Sequence, residues 1–189
     1  ERMNDADSSD NWLKWPRRIL SEDGFNVTQV LNVYQFIVQH PDLFFVAREH
    51  FVSNIITAMG KLTILANPAI ENQVLAIELA ELILYWERKA KDCKEESQAT
   101  QEDENIEEDK EEATATTTTA ADEVRPEGDF TTSPNYSIPF GQREACVTFL
   151  IRYVCISPQR ASESELGQKA LGILYDLLSP EHWAEVSVK

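Results

Sequence analysis

Positive charge is scarce in this chain. Seventeen Lys and Arg face 33 Asp and Glu across 189 residues, leaving a net charge of −16 at pH 7. Such a surface repels nucleic-acid phosphates, so direct nucleic-acid binding is not expected, while basic proteins would be attracted. Long apolar runs are also missing. The richest, Val74 to Trp86, is interrupted by Glu78 and Glu81, and no stretch of about 18 uncharged apolar residues is present to suggest a membrane span. Cysteine is sparse. Cys93, Cys146 and Cys155 form no Cys-x-x-Cys pair, which points to a reduced, intracellular compartment. Cys146 and Cys155 read as packing residues on one helix. His40, His50 and His182 are too scattered to suggest a metal site, and His50 reads as lying on the polar side of a helix. The six glycines form no phosphate-cradling loop, and Gly24 and Gly60 look like helix ends. Carboxylates abound, but paired catalytic acids need a pocket and shifted pKa values, which the sequence does not locate. No catalytic residue, cofactor, metal or small-molecule substrate is therefore expected, and the chain does not read as an enzyme.

Strand-like alternation is absent too; apolar residues recur at helical spacing instead. Asn26 to Gln39 carries Val27, Val30, Leu31, Tyr34, Ile37 and Val38, an amphipathic pattern. Pro41 stops that helix and suits the first position of the next. The second helix is expected to run from Pro41 to about Ala58, forming an antiparallel hairpin with the first. Asn67-Pro68 is a start signal for a third, ending near Lys91. Its polar residues Glu71, Glu78, Glu81 and Arg88 line a narrow stripe, so it must be covered on more than one side. A fourth helix is expected from Pro139 to about Ile156, on a stripe of Val147, Leu150, Ile151 and Val154. A fifth starts at a box of Ser162 and Glu165 and buries Leu166, Ala170, Ile173, Leu174 and Leu177. Ser179-Pro180 breaks it before a last short helix carrying Trp183. The fold class is all-α: an α-solenoid of HEAT-like helical hairpins with a long acidic disordered loop. A globular helical bundle is the alternative.

Between the helical blocks lies an acidic insert. From Lys94 to Asp129 there are 14 acidic and three basic residues, a net of −11. Only Ile106, Val124 and Phe130 are large and apolar as far as Ser133, too few to offset the entropy of ordering. The expected organisation is residues 1–93 as a first helical block, 94–138 as the acidic low-complexity insert, and 139–189 as a second block of the same array. The candidate partner-binding residues are Glu102, Asp103, Glu104, Glu107, Glu108, Asp109, Glu111 and Glu112. The simpler reading is a tolerated insertion, since lengthening a surface loop costs little. Glu1 and Lys189 look like cut ends, as in a piece of a longer chain.

The segments NPAIENQVLAIELAELILYWERK (Asn67 to Lys89), VYQFIVQHPDLFFVAREHFVSNIITAMGKL (Val33 to Leu62) and LLSPEHWAEVSVK (Leu177 to Lys189) resemble neighbouring helices in the HEAT region of the TRRAP/Tra family. These are catalytically dead relatives of the PI3-kinase-like kinases. The resemblance covers about two thirds of the chain and leaves out the insert. It implies a very large nuclear scaffold of SAGA-type histone acetyltransferase complexes. It also implies transcription activators and acetyltransferase-complex subunits as partners. No catalytic or binding residue of the family maps onto a motif here. The alternatives are an acidic helical module that binds histones or other basic proteins through its insert, or a HEAT-type adaptor of another pathway.

Overall fold

The computed structural model describes residues 11–21, 26–63, 69–104, 132–133, 136–156 and 164–186, with the backbone alone at 11, at 97–104 and at 156. All regular structure among them is helical. The elements are α1 (Asn11–Ser21), α2 (Val27–Gln39), α3 (Pro41–Phe45), a 3₁₀ turn (Arg48–His50), α4 (Val52–Thr63), α5 (Ile70–Glu104), α6 (Phe140–Ile156) and α7 (Glu165–Leu177).

Local chemistry sets several boundaries. Asn26 caps α2: its side chain accepts from the Thr28 amide at 2.7 Å, while Gln29 Oε1 accepts from the Asn26 amide at 3.1 Å. That exchange satisfies two otherwise orphaned donors. His40 ends α2, and Pro41, which has no N–H to lose, opens α3. Ser164 caps α7 by accepting from the Gly167 amide at 3.1 Å. Glu165 is thus already helical, and the start box expected at Ser162 gives way to a hydroxyl two residues later. Ser162, like Asn67, Pro68 and Gly24, lies outside the described residues.

The helices stack as hairpins in two layers. α4 packs on α5 and α6 on α7; α4 also meets α6, and α5 meets α7. The ion pairs Lys169–Glu81 at 2.6 Å and Arg88–Asp176 at 2.7 Å join positions seven apart on both helices, so α7 runs parallel to α5. Tyr153 on α6 reaches Gln73 near the start of α5, at 3.3 Å, whereas Arg143 at the other end of α6 approaches Trp183, which bonds Glu87. α6 is therefore antiparallel to α5. Antiparallel within a hairpin and parallel between hairpins is the geometry of an α-solenoid. α2 flanks α5 on its other side and pairs with α1.

α5 accordingly has α2 and α7 beside it and α4 behind it. Leu75, Ala76, Ile77, Leu79, Ala80, Leu82, Ile83, Leu84 and Trp86 are all buried. A helix inside such a layer has little solvent face, which explains its nearly continuous apolar surface.

Several expectations fail for physical reasons. The helix expected from Pro41 to Ala58 breaks at Val46–Phe51, where Ala47 adopts φ −119 and ψ 16. The break seats Phe44 edge-on against Phe51, with ring centroids 5.3 Å apart, and both rings are fully buried. Partners outside the helix take the freed carbonyls: Arg48 Nη1 donates to Phe45 O at 3.0 Å, and the Thr132 amide donates to Val46 O at 2.6 Å. α5 continues past Lys91 to Glu104. Its apolar pattern stops near Lys91, but Lys, Glu, Gln and Ala still favour helix, and Lys91 pairs with Glu95 one turn on. Gly60 lies inside α4, and His50 is half-buried in the 3₁₀ turn. Cys155 is exposed, although Cys146 is buried as expected. The last segment is a series of turns, with no α-helix described around Trp183. α1 had no counterpart in the periodicity, because Pro16 sits inside it.

Candidate functional site

Thr132 and Ser133 lie against the helices as a short strap. The Thr132 amide donates to Val46 O, Thr132 Oγ1 accepts from the Glu49 amide at 3.2 Å, and the Ser133 amide donates to Glu49 Oε2 at 3.1 Å. The strap thus fills the gap left by the break between α3 and α4. Tyr136 follows, with the Arg48 guanidinium stacked 5.6 Å from its ring and 4.2 Å from the Phe45 ring. Burial, helped by Glu49 and Glu87, pushes the Tyr136 hydroxyl up to about 12. Ile138 is buried in the core, and its carbonyl accepts from Arg143 Nε at 2.7 Å.

Arg143 ties this strap to the final turns. It also bonds Ser137 and pairs with Glu185, and it lies 5.9 Å from the Trp183 ring. Trp183 is fully buried, and its indole N–H donates to Glu87 Oε2 at 2.7 Å. At the far end of α3, Asp42 accepts from Tyr85 at 2.5 Å and pairs with Lys89. Those bonds, Lys89 first and then Tyr85, hold the Asp42 carboxyl below its ordinary range.

An open groove of about 470 Å³ runs between the C-terminal end of α2, α5 and α7. Its walls mix Val38, Leu82, Tyr85 and Ile173 with the Lys169–Glu81 and Arg88–Asp176 pairs. Outside the groove on α7, Leu171 and Tyr175 stand one turn apart, 54% and 78% exposed. This is chemistry for docking protein. Cys146 is fully buried and its thiol is pushed up to about 12, chiefly by desolvation, so it is no nucleophile. Among the described residues no group of His, Cys, Asp and Glu could hold a metal ion, and no helix is long and apolar enough to cross a membrane.

Of the acidic candidates, Glu102, Asp103 and Glu104 fall on the last turn of α5, where only the backbone is described. Glu107, Glu108, Asp109, Glu111 and Glu112 lie outside the described residues. The strap left no pattern in the sequence, because its anchors, two backbone groups and the Glu49 carboxylate, lie more than 80 positions away. The only signal was the Tyr136 and Ile138 pair close to the end of a polar stretch.

Comparison with known proteins agrees with this architecture. The family model described as the Tra1 HEAT repeat ring region matches residues 1–189. The Saccharomyces cerevisiae protein named SAGA complex/NuA4 acetyltransferase complex subunit TRA1 is 40% identical over 194 residues, covering 100% of this chain and 5% of its own length. The Schizosaccharomyces pombe subunit of the same description is 30% identical over 174 residues, covering 92% of this chain and 4% of its own length. The human transformation/transcription domain-associated protein is 34% identical over 73 residues, covering 39% of this chain and 2% of its own. The chain thus spans about a twentieth or less of these relatives. No solved structure matches it. Stacked antiparallel hairpins, an inner helix covered on three sides and a family match along the whole sequence converge: the chain belongs to the Tra1 HEAT repeat ring family.

Proposed function

We propose that this segment is a non-catalytic scaffold piece of a transcription co-activator subunit, acting in the nucleus. It would offer its helical surfaces to transcription activators and to other subunits of histone acetyltransferase complexes. The observation that carries the reading is the ring-family match over residues 1–189, with yeast relatives named as SAGA and NuA4 subunits. The mixed groove on the α2–α5–α7 layer and the exposed Leu171–Tyr175 pair are the chemistry such a role needs. Catalysis would belong to other subunits.

The test is a surface variant in the full-length protein. Tyr85→Ala combined with Lys169→Glu and Tyr175→Glu changes the outer face and leaves the buried residues of α5 in place. Purified complexes are expected to lose a subunit or to recruit activators less well. Unchanged composition and unchanged recruitment would refute this face as the scaffold surface.

The acidic residues Glu102 to Glu112 support a second reading, capture of histones or other basic proteins, on the strength of the −11 charge between Lys94 and Asp129. Deleting them and measuring histone-tail affinity at two salt concentrations separates the two. An affinity and salt slope equal to the parent's eliminates the insert as the site.

A further inference from the structure

The groove between α2, α5 and α7 lies on the side of α5 that α2, α4 and α7 leave open. Its floor is apolar, formed by Val38, Leu82, Leu84 and Ile173. Five charged residues line it, and four of them cancel as the Lys169–Glu81 and Arg88–Asp176 pairs. The fifth, Glu78, is half-buried and has no ion-pair or hydrogen-bond partner among the described residues. A carboxylate beside an apolar floor loses hydration when anything docks over it, so it selects an occupant that brings a cation.

The facing wall carries Gly172, inside α7. A Cβ there meets nothing within 4 Å, so no contact within the described fold requires a glycine. An exposed glycine nevertheless weakens a helix relative to alanine. The room it leaves lets a second backbone approach the groove closely.

We propose that this groove receives an amphipathic helix of a partner protein, its apolar residues at helical spacing on the floor and a Lys or Arg on Glu78. The inference rests on the scaffold reading above and names the chemistry of the partner. Between positions 78 and 88 the α5 wall runs about 15 Å, close to three turns of helix. Charge decides between occupants. The stretch from Lys94 to Asp129, at −11, would meet an unpaired carboxylate and cations already held in pairs. An acidic segment of another protein is disfavoured for the same reason.

The experiment uses the full-length protein in its purified complex, with Tyr85→p-azidophenylalanine as a photo-crosslinker that keeps an aromatic ring on the groove wall. Mass spectrometry maps the crosslinked segment, which is then made as a labelled synthetic peptide. Fluorescence anisotropy reads its binding to the full-length protein. The segment is expected to come from another subunit or an activator, to carry net positive charge and to space its apolar residues as a helix does. Glu78→Lys should weaken the peptide about tenfold, and changing the facing Lys or Arg of the peptide to Glu should restore it. Gly172→Leu fills the groove while improving the helix, so it should weaken the peptide about tenfold or more without lowering the Tm. A crosslink to an acidic segment, to the stretch from Lys94 to Asp129 or to a second copy of this chain overturns the basic partner and leaves the scaffold reading standing. An absent crosslink in a complex of full composition, or an affinity unchanged by both Glu78→Lys and Gly172→Leu, overturns the groove as a docking site.

Discussion

Replacing Trp183 with Phe probes how the final turns are held against α5. Two losses contribute. The indole N–H donates to the Glu87 carboxylate at 2.7 Å, and a hydrogen bond to a charged group is worth about 1.5–3 kcal/mol. The ring is fully buried, so the smaller Phe also leaves a void that costs about 1 kcal/mol. The sum is about 3 kcal/mol, a substantial share of the 5–15 kcal/mol typical of a folded domain. For a chain of this length it corresponds to a Tm lower by roughly 6–12 °C. Urea unfolding followed by far-UV circular dichroism measures it, with m expected to stay constant. Glu87→Gln, alone and with Trp183→Phe, closes a double-mutant cycle, and a coupling of at least about 0.5 kcal/mol is expected. A Trp183→Phe cost below about 0.5 kcal/mol, or no coupling, would refute the role given to this bond.

Leu150→Ala on α6, where the side chain is fully buried, should cost about 2–5 kcal/mol, whereas Tyr175→Ala, 78% exposed, should stay within about 0.5 kcal/mol by the same urea titration. A thiol reagent at pH 8 should label exposed Cys93 and Cys155 and reach buried Cys146 only after unfolding, as mass spectrometry of the labelled chain would show. Cys146 is raised from 9.0, and Tyr34 and Tyr136 from 10.0, to about 12, so the folded state holds protons that the unfolded state releases. Their contribution is fully present below pH 9 and is lost between pH 9 and 12; urea midpoints taken at pH 8, 10 and 11 should fall in that order. Leu171→Lys with Tyr175→Lys should reduce self-association in sedimentation velocity without lowering the Tm.

Legibility followed the burial of each element. The apolar stripes of α2, α5, α6 and α7 were readable because each is packed along most of its length, so core contact is written into the spacing of Ile37, Ile83, Leu150 and Ile173. The end of α5 was not readable, because past Lys91 its sequence carries no apolar period and reads only as helix propensity. The break after α3 was hidden by the same mechanism in reverse. Phe44, Phe51 and Ile55 suit a continuous helix as well as a bent one, and the bend depends on carbonyl partners at Arg48 and Thr132. The groove depended on placing α2 and α7 on either side of α5, which no local pattern encodes.

By itself the sequence determined that the chain is helical, that α5 must be covered on several sides, and that most of its excess negative charge, −11 of −16, lies between Lys94 and Asp129. Those properties follow from side-chain periodicity and composition, which act over one or two helical turns. Only the tertiary structure decided where the second helix breaks, that Thr132 and Ser133 close that break, and which faces remain for a partner. Each of these pairs groups far apart in the chain, such as Thr132 with Val46 and Glu87 with Trp183. Local preference cannot specify a hydrogen bond whose partner is brought within reach only when the hairpins stack.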